Sequence, residues 1–192
     1  MEQEIRFCEL DGRRIAYATV GEGPPLVFGG RWVTHLEAEW EDAGARRFYE
    51  ELAHTHSVIR YDRLGVGLSD RAQPEPPTLE SEGAVLGAVL DAYGEEPVTL
   101  FACSCASIAS TQVASTFPER VRKLVFFGGY VSRNDIPDAT RRSLVDFVRV
   151  NWPLAAQMLA GLFLPGADRP ERVRRGRGAS RRHARAAPAR AQ

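Results

Sequence analysis

The 192-residue chain, 44% hydrophobic and 26% charged, has the composition of one ordinary globular domain. Its formal net charge of zero hides an uneven spread: nine Arg against two acids from Asp168 onward, about +7, and about −7 before it. No apolar run is long enough to span a bilayer, the acidic opening MEQEIRF is no secretory signal, and three Cys make no disulfide framework, so a cytoplasmic protein with reduced thiols is expected.

In chain order, IRFCEL and RRIAYATV flank Asp11-Gly12, a strong two-residue hairpin signal. After GEGPP, Leu26–Phe28 is a short apolar strand stopped by Gly29-Gly30. Residues 41–55 read as an amphipathic helix with Phe48, Leu52 and neighbouring positions on its apolar face. SVIRY (57–61) is a strand running into the glycine-rich DRLGVGLSD. Residues 78–94 form a helix with Thr78 as N-cap, Glu80–Glu82 in the first turn and Gly94 as C-cap. VTLFAC (98–103) is a buried strand, SIASTQVASTF (107–117) a helix ending before Pro118, and KLVFF (123–127) a strand stopped by Gly-Gly.

This alternation predicts an α/β fold, a mostly parallel sheet covered by helices on both faces. The expected organisation is a core over 1–135, a helical segment over 136–165 and an Arg/Ala-rich tail over 166–192. The tail carries no aromatic and one β-branched residue, and is expected to be disordered.

Ser104 carries the chemistry. It follows a buried strand directly and precedes a helix, with Ala102 and Ala106 two residues to either side. A sharp strand-to-helix elbow brings two backbones together and requires small residues at those positions; A-C-S-C-A is a relaxed G-x-S-x-G. The elbow lifts the hydroxyl above the sheet, and the helix N-terminus favours a developing oxyanion. The plainer alternative is that Ser104 only caps the helix.

Four segments resemble the first half of an α/β-hydrolase of the abhydrolase-1 type, a likeness closest to bacterial members: RIAYATVGEGPPLV, RYDRLGVGLSD, FACSCAS and FPERVRKLVFFGGYV. They span about two-thirds of the chain, and RYDRLGVGLSD is the most specific. The resemblance implies strands 1–6 of the α/β-hydrolase fold followed by the start of a helical lid, with the last strands missing. It implies Ser104 as nucleophile, and an oxyanion hole from the backbone N–H of Cys105 and that of Arg31 or Trp32. It makes Asp62, Arg63, Gly65 and Gly67 structural residues of the turn beside the site.

A serine nucleophile needs a base oriented by an acid, which in this fold follow the serine in the order acid, then His. Of four histidines, His54 and His56 are expected at a solvated helix end, and His35 in a loop overhanging the site without a catalytic role. His183 alone follows Ser104, inside the Arg/Ala tail. Asp135 and Asp138 follow the sixth strand, where some family members carry the acid, with Asp135 the possible acid here. Cys103 and Cys105 flank the serine and are read as packing residues. With one Lys against 24 Arg, the tail resembles high-GC coding read out of frame, and a frameshift near residue 165 would remove the acid and the His.

The expectation is therefore a serine hydrolase for ester or similar acyl substrates, crippled as this chain, or alternatively a non-catalytic ligand-binding or regulatory module of the same fold. No cofactor or metal is expected, and the partner is a small acyl molecule. Phosphate binding by the tail is non-specific at most, because it has no aromatics and no folded scaffold.

Overall fold

A computed structural model describes residues 1–71, 76–130 and 137–163, with side chains to Met158. It divides into two compact units, Met1–Ser132 and Arg133–Gln192. The first unit holds one six-stranded sheet in the order β1-β2-β4-β3-β5-β6.

β1 (Glu4–Leu10) and β2 (Arg13–Val20) form the antiparallel hairpin. Its turn residues Asp11 and Gly12 have φ of 52° and 74°, the left-handed pair that matches the twist of the flanking strands. β2 pairs antiparallel with β4 (Ser57–Tyr61), and β4 parallel with β3 (Pro25–Phe28). β5 (Val98–Cys103) lies parallel to β3, and β6 (Val121–Phe127) parallel to β5, so β6 starts two residues earlier than the apolar pattern predicts.

Period-two alternation divides the strands between two cores. Val27, Ile59 and Leu100 pack with Leu86, Val89 and Val113 from α3 (Leu79–Tyr93) and α4 (Ala106–Thr116) on one face. Leu26, Phe28 and Val58 pack with Tyr49 and Ala53 of α2 (Ala43–Ala53) on the other. Helices thus cover both faces, as expected. Thr78 and Ser81 form a reciprocal capping box at the head of α3, and Gly94 closes it.

Two details depart from the sequence reading. A six-residue helix, α1 (Leu36–Glu41), precedes α2, with Asp42 ending the one and capping the other. Phe48 is 49% exposed with its ring edge-to-face against Phe28 of β3, centroids 5.9 Å apart, while the neighbouring Tyr49 and Ala53 are buried.

The second unit contains α5 (Asp138–Val150) and α6 (Trp152–Phe163), the helical segment expected over 136–165. The tail over 166–192 lies outside the described residues. Among the described residues no helix is long and apolar enough to cross a membrane.

β6 ends the described sheet, with Val125, Phe126 and Phe127 exposed at 40%, 49% and 66%. An open apolar strand edge is a template for pairing with another chain. Concentration-dependent self-association is expected in sedimentation or gel filtration, reduced by Phe127→Lys. A strictly monomeric parent chain at all concentrations would contradict this.

Candidate active site

Parallel strands β3 to β6 all run toward the end of the sheet where Ser104 sits. Ser104 follows β5 at once, and α4 begins two residues later. Its φ is +56°; Asp11 is the only other non-glycine with positive φ among the described residues. For a serine that conformation costs about 1–2 kcal/mol and persists only when its surroundings impose it.

The surroundings do impose it. The Ser104 N–H donates to the Phe127 carbonyl of β6 at 3.2 Å, and its carbonyl accepts the Ser107 N–H at 3.1 Å. The fully buried Ser107 hydroxyl lies 2.6 Å from the same carbonyl, accepts the Tyr130 N–H at 2.9 Å and also touches the Tyr130 carbonyl. Ala102 and Ala106 are buried, and Ser104 itself is exposed. A Cβ added to Gly29 would stand 2.7 Å from the Ala106 Cβ, so the exit of β3 presses against the head of α4. That close approach is why small residues are required beside the serine.

Cys105 occupies the N-cap position of α4 without a side-chain cap bond. Burial pushes its thiol pKa up, countered in part by the Arg63 guanidinium, so the thiol stays protonated near neutrality. Arg63 forms an ion pair with Glu82 of α3 at 3.2 Å, both side chains less than a fifth exposed. Burial raises the Glu82 pKa more than Arg63 lowers it. Burial likewise raises the phenol pKa of Tyr61 and Tyr130.

Arg31 and Trp32 follow the wedged Gly29-Gly30. The Gly29 N–H donates to the Phe101 carbonyl at 3.1 Å, and a Cβ on Gly30 would meet Arg63 Cγ at 2.4 Å. Trp32 is 45% exposed. Arg31 Nη2 bonds Glu39 and the Tyr49 hydroxyl, the latter at 3.2 Å. The second Glu39 oxygen accepts Arg60 Nη1 at 3.1 Å. Arg60, 3% exposed, lies 4.2 Å from the Tyr49 ring centroid and 5.5 Å from that of Trp40.

Asp62 is fully buried, its Oδ2 accepting the N–H groups of Leu36 at 3.2 Å and Leu68 at 2.8 Å. It ties the turn after β4 to α1, beside the Arg31 loop.

The histidines are placed as follows. His35 is the N-cap of α1, its Nδ1 accepting the Ala38 N–H at 3.4 Å. His54 is exposed and His56 half-buried against Thr55 Oγ1 at 2.8 Å. Both precede β4, at the end of the parallel strands opposite Ser104, which rules them out as its base. Asp138 begins α5 and pairs with Arg141. Asp135 and His183 lie outside the described residues.

The Arg63–Glu82 pair, Ser107 and the Arg31–Glu39–Arg60 cluster are absent from the sequence reading. Ser107 carries a weak signal, three residues after Ser104 on the same helix face. The ion pairs join distant segments and carry none.

A strained serine between a parallel strand and a helix, at the carboxyl end of a sheet covered on both faces, defines an α/β protein with a nucleophile-type elbow. The sequence profile of the alpha/beta hydrolase fold matches residues 38–170, and the chain belongs to that family. It is 29% identical to the cis-3-alkyl-4-alkyloxetan-2-one decarboxylase of Shewanella oneidensis, over 81% of this chain and 47% of that protein. It is also 29% identical to the 2-hydroxy-6-oxo-2,4-heptadienoate hydrolase of Pseudomonas putida, over 79% of this chain and 58% of that protein. The chain thus spans about half the length of these curated relatives. The haloalkane dehalogenase DatA of Agrobacterium tumefaciens C58 superposes with a TM-score of 0.71 at 22% identity, covering 92% of this chain and 62% of that one, a likeness of fold.

Proposed function

We propose that the protein is a serine hydrolase of small ester or similar acyl substrates, with Ser104 as nucleophile and the N–H groups of Cys105 and of Arg31 or Trp32 as oxyanion donors. The observation that carries this reading is the positive φ of Ser104, a strained backbone at a position where a helper or cap serine needs none. The name of the Pseudomonas relative, a hydrolase of a small dienoate, supports a small-molecule substrate. The three cysteines are free thiols, which suits the cytoplasm.

Among the described residues His54 and His56 stand at the end of the sheet opposite Ser104, and Asp138 is engaged by Arg141. Our reading is of slow hydrolysis by this chain, supported by the oxyanion donors and binding, which in serine hydrolases retain roughly 10³–10⁴-fold over water when the triad is lost. That same observation favours the second reading, a ligand-binding module that keeps the elbow without turnover. Ser104→Ala is expected to remove the residual hydrolysis of p-nitrophenyl acetate, followed as nitrophenolate release. Identical rates in the parent chain and the variant would leave the binding module as the function.

A further inference from the structure

We infer that the outward face of α3 is a docking trough for a cationic amphipathic helix of a partner protein, an interaction surface that stands apart from the chemistry of Ser104. Gly-Ala-Val-Leu occurs twice in succession over residues 83–90, so α3 carries no polar side chain between Glu82 and Asp91. Val85, Leu86, Val89 and Leu90 are buried in the core beneath, which leaves Ala84, Gly87 and Ala88 on the outward side. A helix face turned to water normally carries charged or long polar residues. Here small residues floor a trough of about 710 Å³, walled by Leu10 of β1, Gln112 of α4 and Phe117 at the end of α4.

The two glycines of the repeat differ in what they are for. A Cβ at Gly83 would stand 2.6 Å from Gln112 Oε1, so internal packing demands that glycine. At Gly87 a Cβ would meet nothing within 4 Å. Glycine in mid-helix weakens the helix relative to alanine, and the packing of the described residues does not require this one. What it does permit is the close approach of another backbone. Gln112 Oε1, on the trough wall, is sheltered from water and has no hydrogen-bond partner among the described residues. The flexible amide can turn such an acceptor toward a donor that enters the trough.

Charge selects the occupant. Glu80 and Asp91 stand on one face of α3, three turns and about 16 Å apart along its axis. Asp91 is matched by Arg120 at 2.7 Å, whereas Glu80 and Glu119, both at the trough, form no ion pair among the described residues. Two unmatched carboxylates beside a small-residue floor complement an apolar stripe flanked by Lys or Arg. A second copy fits poorly, because packing α3 on α3 brings Glu80 against Glu80 or Asp91 of the other copy. A small ligand also fits poorly: Ala84 and Ala92 are exposed, so the trough would leave such a ligand wet along one side, while a helix needs only one face covered.

The test uses the full chain and a fluorescein-labelled, amidated helical peptide of about 18 residues, with Leu and Ala on one face and Lys on the other. Its twin carries Glu in place of every Lys. Fluorescence anisotropy is expected to show the Lys peptide binding about tenfold or more tightly than the twin, whose carboxylates meet like charges. Gly87→Leu fills the floor without altering any charge, and is expected to weaken the Lys peptide about tenfold with no fall in melting temperature. Ala84→Arg, at an exposed position, should block the trough equally, so that neither variant decides alone. Glu80→Gln combined with Glu119→Gln is expected to bring the two peptides within about twofold and to flatten the salt dependence. A Lys peptide that fails to bind, that binds both blocked variants as well as the parent, or that is equalled by its twin would overturn the inference. Self-association lost in Gly87→Leu but kept in Phe127→Lys would give the face to a second copy and overturn it too.

Discussion

Asp62→Ala is expected to destabilise the first unit by about 3–5 kcal/mol, the largest loss for any single polar truncation beside the site. The carboxylate is fully buried and accepts two backbone N–H groups, from Leu36 at the head of α1 and from Leu68 in the glycine-rich turn. Each charge-assisted bond is worth about 1.5–3 kcal/mol, and truncation leaves both donors without their acceptor. The backbone around it is equally committed: the Asp62 N–H donates to Ala16, and the Ser69 hydroxyl spans the Asp62 carbonyl at 2.5 Å and the Ala16 N–H at 2.9 Å. A Cβ on Gly67 would lie 1.9 Å from Asp62 Oδ2, so the turn is shaped around this one side chain. Against a total stability of about 5–15 kcal/mol, the loss would leave a substantial unfolded fraction. Urea denaturation followed by circular dichroism measures it, and Asp62→Asn, which keeps one acceptor oxygen, should lose less. A loss under about 1 kcal/mol for Asp62→Ala would show that the turn holds without its carboxylate.

Glu82→Ala is expected to cost about 2–4 kcal/mol, since it strands the Arg63 guanidinium in a site where both partners are less than a fifth exposed. The range lies below the full value for a deeply buried pair because water still reaches the edge. Glu82→Gln keeps an acceptor for Arg63 and should cost less. The two variants also differ with pH. The folded-state pKa of Glu82 is raised, chiefly by burial, so its protonated form is the one the fold favours. Its contribution is complete below the unfolded value near 4.5 and declines as pH rises through the folded value. The stability advantage of the parent chain over Glu82→Gln should therefore shrink between acid and neutral pH. An advantage that grows with pH would mean that the attraction of Arg63 outweighs burial.

Local signals were legible in the sequence wherever a backbone angle or a cap demands a residue type. Asp11-Gly12 announced the hairpin because both turn positions take positive φ. Thr78 and Gly94 bounded α3 because helix ends need a side-chain acceptor and a residue free of Cβ strain. Ala102, Ser104 and Ala106 announced the elbow because two backbones meet there. Helix α1 escaped notice, since six residues are too short to show periodicity. Phe48 lies at the rim of the apolar face, its ring against Phe28 but half exposed, because the 100° step of the helix turns the neighbouring Tyr49 and Ala53 most directly toward the sheet.

The sequence by itself thus determined the fold class, the alternation of strands and helices, and the serine at the strand-to-helix elbow, all consequences of interactions between near neighbours. The tertiary structure alone decided that β4 lies between β2 and β3, that His54 and His56 stand at the far end from Ser104, and that Arg31 and Arg60 share Glu39. Those features depend on which distant segments the two cores bring together. Nothing in the spacing of Arg31, Glu39 and Arg60 along the chain encodes that one carboxylate serves two guanidinium groups; that follows from packing.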